Sequence, residues 1–128
     1  MLVRQVLQLV LLGMFMPCAA LADKDQYIAG GSAALDKARS IWLQNCESCH
    51  GYGIAEAPVP MRPEDWQHRV TKDKATLYTH AIEGFIGPEY SMMPARGGND
   101  ALTDAEVKAA VDYMLHLAKY YIKQRGDL

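Results

Sequence analysis

Apolar residues recur at helical spacing in two long stretches of the chain, one on each side of a middle section rich in loops. In the first stretch they repeat every three or four positions, which predicts a helix from about Ser32 to about Glu47. In the second, Thr103-Asp104-Ala105-Glu106 is a capping box and predicts the start of another helix. The apolar positions of this helix share one sector of about 100°: Val107, Ala110, Val111, Met114 and Ala118.

Two shorter helices are predicted in the middle section. A proline and two acidic residues in a first turn favour a short helix over residues 63 to about 70. Asp73 can cap a further helix from Lys74 to about Glu83. Glycines and prolines interrupt the segments between the helices, which predicts loops at residues 51–63 and 85–101. Because no segment of any length alternates as a strand does, the predicted fold class is all-α with about four helices.

Residues 1–22 have the features of a cleaved signal peptide. Arg4 precedes an apolar run from Val6 to Met16, and Ala20-Leu21-Ala22 matches the small-x-small pattern of a cleavage site. The run is short for a membrane span, and a retained anchor is the alternative interpretation. We expect an exported, periplasmic protein without a membrane span in its mature form, with a flexible arm over residues 23–31 and one domain over 32–128.

The charge balance argues against a nucleic-acid partner. Without Arg4, 12 basic residues face 15 acidic residues, whereas binding to phosphate backbones depends on an excess of Lys and Arg. A domain of this size also has a thin hydrophobic core. A covalently held apolar group would supply the missing interior surface, as a disulfide or a metal does in other small domains.

The sequence Cys46-Glu47-Ser48-Cys49-His50 is the attachment signal of a c-type haem. The two thiols form thioethers to the porphyrin, and the histidine can serve as the proximal iron ligand. A dithiol redox pair would need a βαβ context, and a zinc site would need further ligands at the right spacing. Two cysteines three positions apart on a helical turn are also poorly placed for a disulfide. We therefore expect one covalently bound haem c.

The ligand on the other face of the iron is sought among histidines and methionines. The remaining histidines, His68, His80 and His116, fall on or beside polar helix faces and need no special role. Met114 is expected in the core and Met61 on the proximal side. This leaves Met92 and Met93 on the long second loop, and Met93 lies 43 residues after His50. The proline that follows Met93 favours that residue as the ligand and Met92 as pocket lining, although spacing alone does not separate them.

The sequence also resembles the class I cytochromes c of the c-five type, over most of the expected mature chain and in the same order. The resemblance is carried by Cys46-x-x-Cys49-His50, Trp66-x-x-Arg69, Leu77-x-x-x-Ala81-x-x-Gly84, Met93-Pro94-Ala95-Arg96-Gly97-Gly98, Leu102-Thr103-Asp104-x-Glu106-Val107 and Ala110-Val111-x-Tyr113-Met114. It implies the small cytochrome c fold, in which the first and last helices cross beside the haem, with Trp42 and Tyr113 at the crossing. It also implies that Met93 is the distal ligand.

Three further roles are implied by the resemblance. The Pro58 carbonyl would accept the ring N–H of His50 and so fix its orientation, and Trp66 and Arg69 would lie near the haem propionates. The alternative for the last two is a core tryptophan and a solvated arginine. Two departures from the family concern the surface of the distal loop: the chain lacks an extra cysteine pair that some members have, and residues 85–91 look longer than in compact members.

With both axial positions filled, the expected function is one-electron transfer through an exposed haem edge, in transient contact with redox proteins. A dehydrogenase, a quinol-oxidising complex or a terminal oxidase would serve as partner. No nucleophile–base pair indicates a separate enzymatic chemistry. Two alternatives stay open at this point: a haem-based peroxidase or gas-binding protein, and an electron-entry subunit of a larger dehydrogenase or oxidase complex.

Overall fold

In the computed structural model, residues 27–126 are described, and they form a helical domain. The helices are α1 (Ala33–Asn45), α2 (Glu47–His50), α3 (Pro63–Trp66), α4 (Lys74–Glu83) and α5 (Asp104–Arg125). Single 3-10 turns span Ile54–Glu56, Pro88–Tyr90 and Ala95–Gly98. The all-α prediction is confirmed, and α2 is the only helix of the described part that was not separately predicted. Within residues 27–126, no helix is both long enough and apolar enough to cross a membrane.

The helix starts follow the local capping chemistry of the sequence. The Ser32 side chain accepts a hydrogen bond from the Leu35 amide at the start of α1, and the Asp73 carboxylate accepts one from the Thr76 amide at the start of α4. The capping box of α5 is complete, since Thr103 and Glu106 exchange hydrogen bonds between side chain and backbone. These side chains satisfy amide groups that have no partner within the helix.

Helices α1 and α5 pack against each other through aromatic residues that are shielded from water. Trp42 and Tyr113 are both fully buried, with ring centroids 5.7 Å apart. All five apolar residues that the sequence assigns to one face of α5 are buried. The polar residues of α5 lie mostly outside this face. The core therefore lies between the apolar face of α5 and the helices that pack against it.

Residues 27–30 do not form the loose arm that the sequence predicts. Tyr27 is 2% exposed, and its ring meets Trp42 edge-on with centroids 4.9 Å apart. The Tyr113 hydroxyl donates to the Ile28 carbonyl at 2.7 Å. An aromatic ring buried against the core is enough to hold this short segment down. The predicted signal peptide and the rest of the arm lie outside the described residues.

The long loop after α4 contains a small hairpin that the sequence pattern does not indicate. Strand β1 (Phe85–Ile86) pairs antiparallel with β2 (Met92–Met93), with Phe85 opposite Met93. Two residues per strand are too few to show alternation in a sequence. The connection is closed by a hydrogen bond of 2.7 Å from the Gly87 amide to the Ser91 carbonyl. This hairpin sets the position of Met93 relative to the end of α4.

Candidate functional site: a cavity between the Cys-x-x-Cys-His turn and the Met93 hairpin

The Cys-x-x-Cys-His sequence lies where α1 passes into α2. The Cys46 amide donates to the Trp42 carbonyl at 2.8 Å, and the His50 amide donates to the Cys46 carbonyl at 2.9 Å. Both thiols are free, with Cys46 half-buried and Cys49 exposed. Burial is the main cause that raises the pKa of Cys46 to about 11, and Cys49 adds to it. The helical turn therefore presents two thiols and one imidazole together.

The His50 ring is held in one orientation by the backbone. It is 7% exposed, and its Nδ1 lies 3.0 Å from the Pro58 carbonyl oxygen. A carbonyl oxygen can only accept, so Nδ1 carries the proton and donates it. Burial lowers the pKa of His50, the hydrogen bond to Pro58 opposes this, and the positive charge of Arg69 lowers the pKa further. The neutral imidazole therefore keeps a lone pair on Nε2, the form that binds metals.

All eight residues that the sequence singles out line one cavity of about 520 Å³: Cys46, Cys49, His50, Pro58, Trp66, Arg69, Met92 and Met93. This volume falls within the range of about 300–1,000 Å³ that is usual for cofactor sites. Val111 and Met114 of α5 and Leu77 and Ala81 of α4 complete much of its apolar lining. A second, much smaller cavity of about 20 Å³ is lined by residues of α5 and shares His50, Met93 and Gly97 with the first.

The two methionines of the hairpin differ in exposure. Met92 is 67% exposed, whereas Met93 is half-buried and packs against the core. The backbone of Met93 is closely backed by Gly84, where a Cβ atom would lie 3.0 Å from the Met93 carbonyl oxygen. Of the two thioethers, that of Met93 is the one held by surrounding structure.

Trp66 and Arg69 provide donors in a wall that is otherwise largely apolar. Trp66 is 4% exposed, and its indole N–H has no partner among the described residues. Arg69 is half-buried and donates to the backbone carbonyl of Asp65. Burial lowers the pKa of Arg69, and the Asp65 carboxylate partly opposes this. An unpartnered buried indole N–H and a half-buried guanidinium group that line the same cavity suit anionic acceptors, such as porphyrin carboxylates.

The chemistry of these donors fits a haem. The thiols of Cys46 and Cys49 are free to bond to the porphyrin, and Nε2 of His50 keeps its lone pair. Met93 brings a sulfur atom from another segment that lines the same cavity, and Trp66 and Arg69 bring donors for carboxylates. The cavity is also bounded by loops that carry apolar groups, including Ile54 and Phe85. A flat apolar macrocycle would therefore cover surface that water otherwise reaches.

The histidines expected to be solvated are closer to the site than the sequence suggests. His68 is exposed and His80 half-buried, yet both contribute to the cavity lining. The His80 ring stacks on Phe85 with centroids 4.1 Å apart and an interplanar angle of 22°. His116 and Met61 are not among the lining residues, and Met61 packs against the core. The sequence carries no signal for the His80 contact, because it depends on the hairpin.

Comparison with known proteins gives consistent matches. The family model described as cytochrome C oxidase, cbb3-type, subunit III matches residues 33–114. The chain is 36% identical over 103 residues to cytochrome c-555 of Chlorobaculum tepidum, covering 79% of this chain and 94% of the relative. It is 38% identical over 100 residues to cytochrome c-555 of Prosthecochloris aestuarii, covering 74% and 93%. A chain from the crystal structure of an electron transfer complex of nitrite reductase with cytochrome c matches with a TM-score of 0.56 and 29% identity, covering 64% of this chain and 94% of that one.

Proposed function

The chain belongs to the class I cytochrome c family and is an electron carrier with covalently bound haem c, and we propose that it carries single electrons with His50 and Met93 as the axial iron ligands. The observation that carries this proposal is the meeting of the Cys-x-x-Cys-His turn and the Met93 hairpin on one cavity. When bound, the haem iron supplies a one-electron redox couple. Cys46 and Cys49 are proposed to hold it through thioether bonds.

His50 is proposed to act as the proximal ligand in a fixed orientation. Its Nδ1–H donates to the Pro58 carbonyl at 3.0 Å, which leaves Nε2 as the only ring nitrogen with a free lone pair. Pro58 also limits rotation of the ring, because turning it would leave a buried N–H without a partner. Pro58 therefore acts through His50, and a ring held in this way needs little rearrangement between the two oxidation states.

Met93 is proposed to fill the opposite axial position. A neutral thioether favours the reduced state and raises the reduction potential relative to a second histidine. The hairpin and the core around Met93 restrict its side chain, whereas the Met92 side chain is 67% exposed. With both positions filled by protein groups, the chain offers a substrate no open coordination site, which favours electron carriage over peroxidase chemistry or gas binding.

Trp66 and Arg69 are proposed to bind the haem carboxylates. The unpartnered indole N–H of Trp66 would gain an acceptor, and the half-buried Arg69 would gain a counter-charge. Both groups would donate to anionic carboxylates at the wall of the cavity. The two residues would therefore orient the cofactor rather than take part in electron transfer.

Redox proteins are the proposed partners, by transient docking at the rim of the cavity. Apolar side chains are exposed there on both sides, with Met92 at 67%, Ile54 at 56% and Phe85 at 41%. Small apolar contacts with a limited area suit encounters that must form and dissociate quickly. A dehydrogenase, a quinol-oxidising complex or a terminal oxidase fits this role. We further propose that the chain works in the periplasm after removal of residues 1–22.

A second candidate function is that of an electron-entry subunit in a larger oxidase, because the matching family model is described as an oxidase subunit. The two cytochrome c-555 relatives are matched over 93–94% of their own length, which favours a protein of that size acting as a separate carrier. Size-exclusion chromatography of the native protein in its host extract separates the two candidates. A carrier elutes alone, and a subunit elutes with its complex.

The axial ligands are tested with Met93→Ala and the matched Met92→Ala. In the ferric protein, sulfur coordination gives a weak near-red absorption band, which we expect Met93→Ala to abolish and Met92→Ala to retain. The ferrous wild type should resist carbon monoxide, whereas ferrous Met93→Ala should bind it. Loss of the band only in Met92→Ala would transfer the ligand role to Met92, and rapid carbon monoxide binding by the wild type would contradict the carrier function. Replacing Cys46 and Cys49 by Ser should release the haem under denaturing conditions.

A further inference from the structure

A side-chain hydrogen bond joins the segment that precedes the Cys-x-x-Cys-His turn to the segment that follows Met93. The Asn99 Nδ2 donates to the Asn45 Oδ1 at 2.8 Å across 54 residues of sequence. Asn45 is the last residue of α1 and is adjacent to Cys46, while Asn99 lies six residues after Met93. Both side chains are half-buried. We call this pair, Asn45 and Asn99, the asparagine clamp.

The orientation of both amides is determined by backbone groups. The Asn45 Nδ2 donates to the Ile41 carbonyl at 2.8 Å, so its Oδ1 must face Asn99. The Asn99 Oδ1 accepts from the Ala101 amide at 3.1 Å, so its Nδ2 must face Asn45. A flip of either amide would place two acceptors or two donors against each other. The pair therefore acts as one directed chain of hydrogen bonds from the loop that follows Met93 (residues 94–101, here called the distal loop) into α1.

The backbones of the two segments also approach closely beside the clamp. At Gly97 a Cβ atom would lie 2.9 Å from the Asn45 carbonyl oxygen, which only a residue without a side chain avoids. Gly97 and Asn45 both line the cavity. The distal loop is thus pressed against the end of α1 at the point where the clamp joins them. The two halves of the cavity wall are connected directly rather than through the remote core.

We propose that the asparagine clamp is a positioning device that keeps the Met93 segment closed over the cofactor and so sets how easily another ligand displaces Met93. This inference rests on Met93 being the distal ligand, as proposed above. The hairpin pairing to β1 holds Met93 from its N-terminal side, and the clamp holds the loop from its C-terminal side. Arg96 in the segment between them also donates to the Leu102 carbonyl at 2.9 Å, so the clamp is one of several attachments whose loss would make it easier for this segment to open.

The size of the effect follows from the population of the open state. An external ligand binds only the open state, so its apparent affinity scales with the fraction of molecules that are open. One hydrogen bond contributes roughly 0.5–1.5 kcal/mol net, which corresponds to an increase of about 2- to 12-fold in that fraction when the bond is removed. Removing either asparagine breaks the same bond, so the two effects should not multiply.

The experiment is a double-mutant cycle read by imidazole binding to the ferric holoprotein. Asn45→Ala and Asn99→Ala should each raise the apparent association constant of imidazole by roughly 2- to 12-fold, and the double variant by no more than the larger single effect. Asn99→Asp retains the side-chain shape and the acceptor for Ala101 but loses the donor, so it should give at least as large an increase. The near-red band without imidazole should be present in all variants.

The control is Tyr78→Phe, which removes another side-chain hydrogen bond between distant parts of the chain. The Tyr78 hydroxyl donates to Asp112 at 2.7 Å and joins α4 to α5 away from the cavity lining. Its loss should lower the free energy of unfolding without changing imidazole affinity. Equal imidazole affinity in wild type, Asn99→Ala and Asn99→Asp would overturn the inference, as would single effects that multiply in the double variant. If Met93→Ala retains the near-red band, the ligand assignment fails instead, which distinguishes the two failures.

Discussion

The replacement Gly84→Ala tests whether the end of α4 controls the position of Met93. Gly84 has φ of +87° and ψ of 165°, a conformation that is essentially restricted to glycine. A Cβ atom there would also lie 3.0 Å from the Met93 carbonyl oxygen and 3.1 Å from the Ala95 amide nitrogen. Both neighbours are backbone atoms, one in strand β2 and one in the 3-10 turn that follows it, and they cannot move aside as the end of a flexible side chain can.

The expected loss of stability has two parts. The backbone conformation costs about 1–3 kcal/mol in a residue with a side chain. Displacing the backbone around Met93 adds about 1–3 kcal/mol, as over-packing does elsewhere. The total, about 2–6 kcal/mol, is a large share of the 5–15 kcal/mol that is usual for folded domains. It corresponds to a fall in melting temperature of about 4–8 °C per kcal/mol for a domain of this size.

The assay is guanidinium unfolding of the ferric protein, followed by far-UV circular dichroism and by the near-red band. The control is Gly126→Ala, because Gly126 has a φ of +83° but no atom of residues 27–126 meets the added Cβ atom within 4 Å. Its cost should be about 1–2 kcal/mol, from the left-handed conformation alone. In Gly84→Ala the near-red band should disappear at a lower guanidinium concentration than the helical signal. A loss of stability no larger than that of Gly126→Ala, with both signals lost together, would refute this reasoning.

Two further predictions concern docking and pH. Ile86→Thr keeps a β-branched residue at a position that is 68% exposed, so stability should change by less than about 0.5 kcal/mol. Burial of Ile86 in the encounter predicts that the variant's electron self-exchange rate, measured by NMR, falls about fourfold, while its oxidation by a small inorganic complex stays unchanged. Equal self-exchange rates in the two proteins would exclude Ile86 from the docking surface. Hydrogen bonds from the backbone amide and then from the hydroxyl of Thr103 lower the pKa of Glu106 below its ordinary value of 4.5. The Glu106 carboxylate therefore stabilises the fold at pH values above 4.5. This contribution is lost as the pH falls through the lowered pKa of the folded state. Urea unfolding should therefore show wild type more stable than Glu106→Gln at pH 7 and the difference shrinking in acid; a difference independent of pH would contradict the assignment.

Local interactions explain the parts of the structure that the sequence predicts well. The helix starts depend on Ser32, Asp73 and the Thr103–Glu106 pair, each of which bonds to an amide three residues away. The buried face of α5 follows from its 3.6-residue period. The Cys-x-x-Cys-His turn needs only one helical turn to bring two thiols and an imidazole together. Such features are determined within a few residues, so a pattern in the sequence is sufficient to identify them.

The predicted site residues come from several separate segments: elimination leads to Met92 and Met93, whereas Pro58, Trp66 and Arg69 follow only from family resemblance. The contact from His50 to Pro58 depends on a 3-10 turn in which Ala55 and Glu56 have positive φ values of 51° and 61°. Non-glycine residues rarely adopt this conformation, and nothing in their identity indicates it. The stacking of His80 on Phe85 depends likewise on a hairpin with two residues in each strand.

By itself, the sequence determined the helical fold class, the haem-attachment turn and the face of α5 that is buried, because each depends on spacing along a single element. Tertiary structure decided which side chains share the cavity and how its two walls are joined. Tyr113 reaches the Ile28 carbonyl across 85 residues, and Asn99 reaches Asn45 across 54. Such bonds form only after the helices have packed, since their partners are brought together by the burial of the core and not by any property of the residues between them.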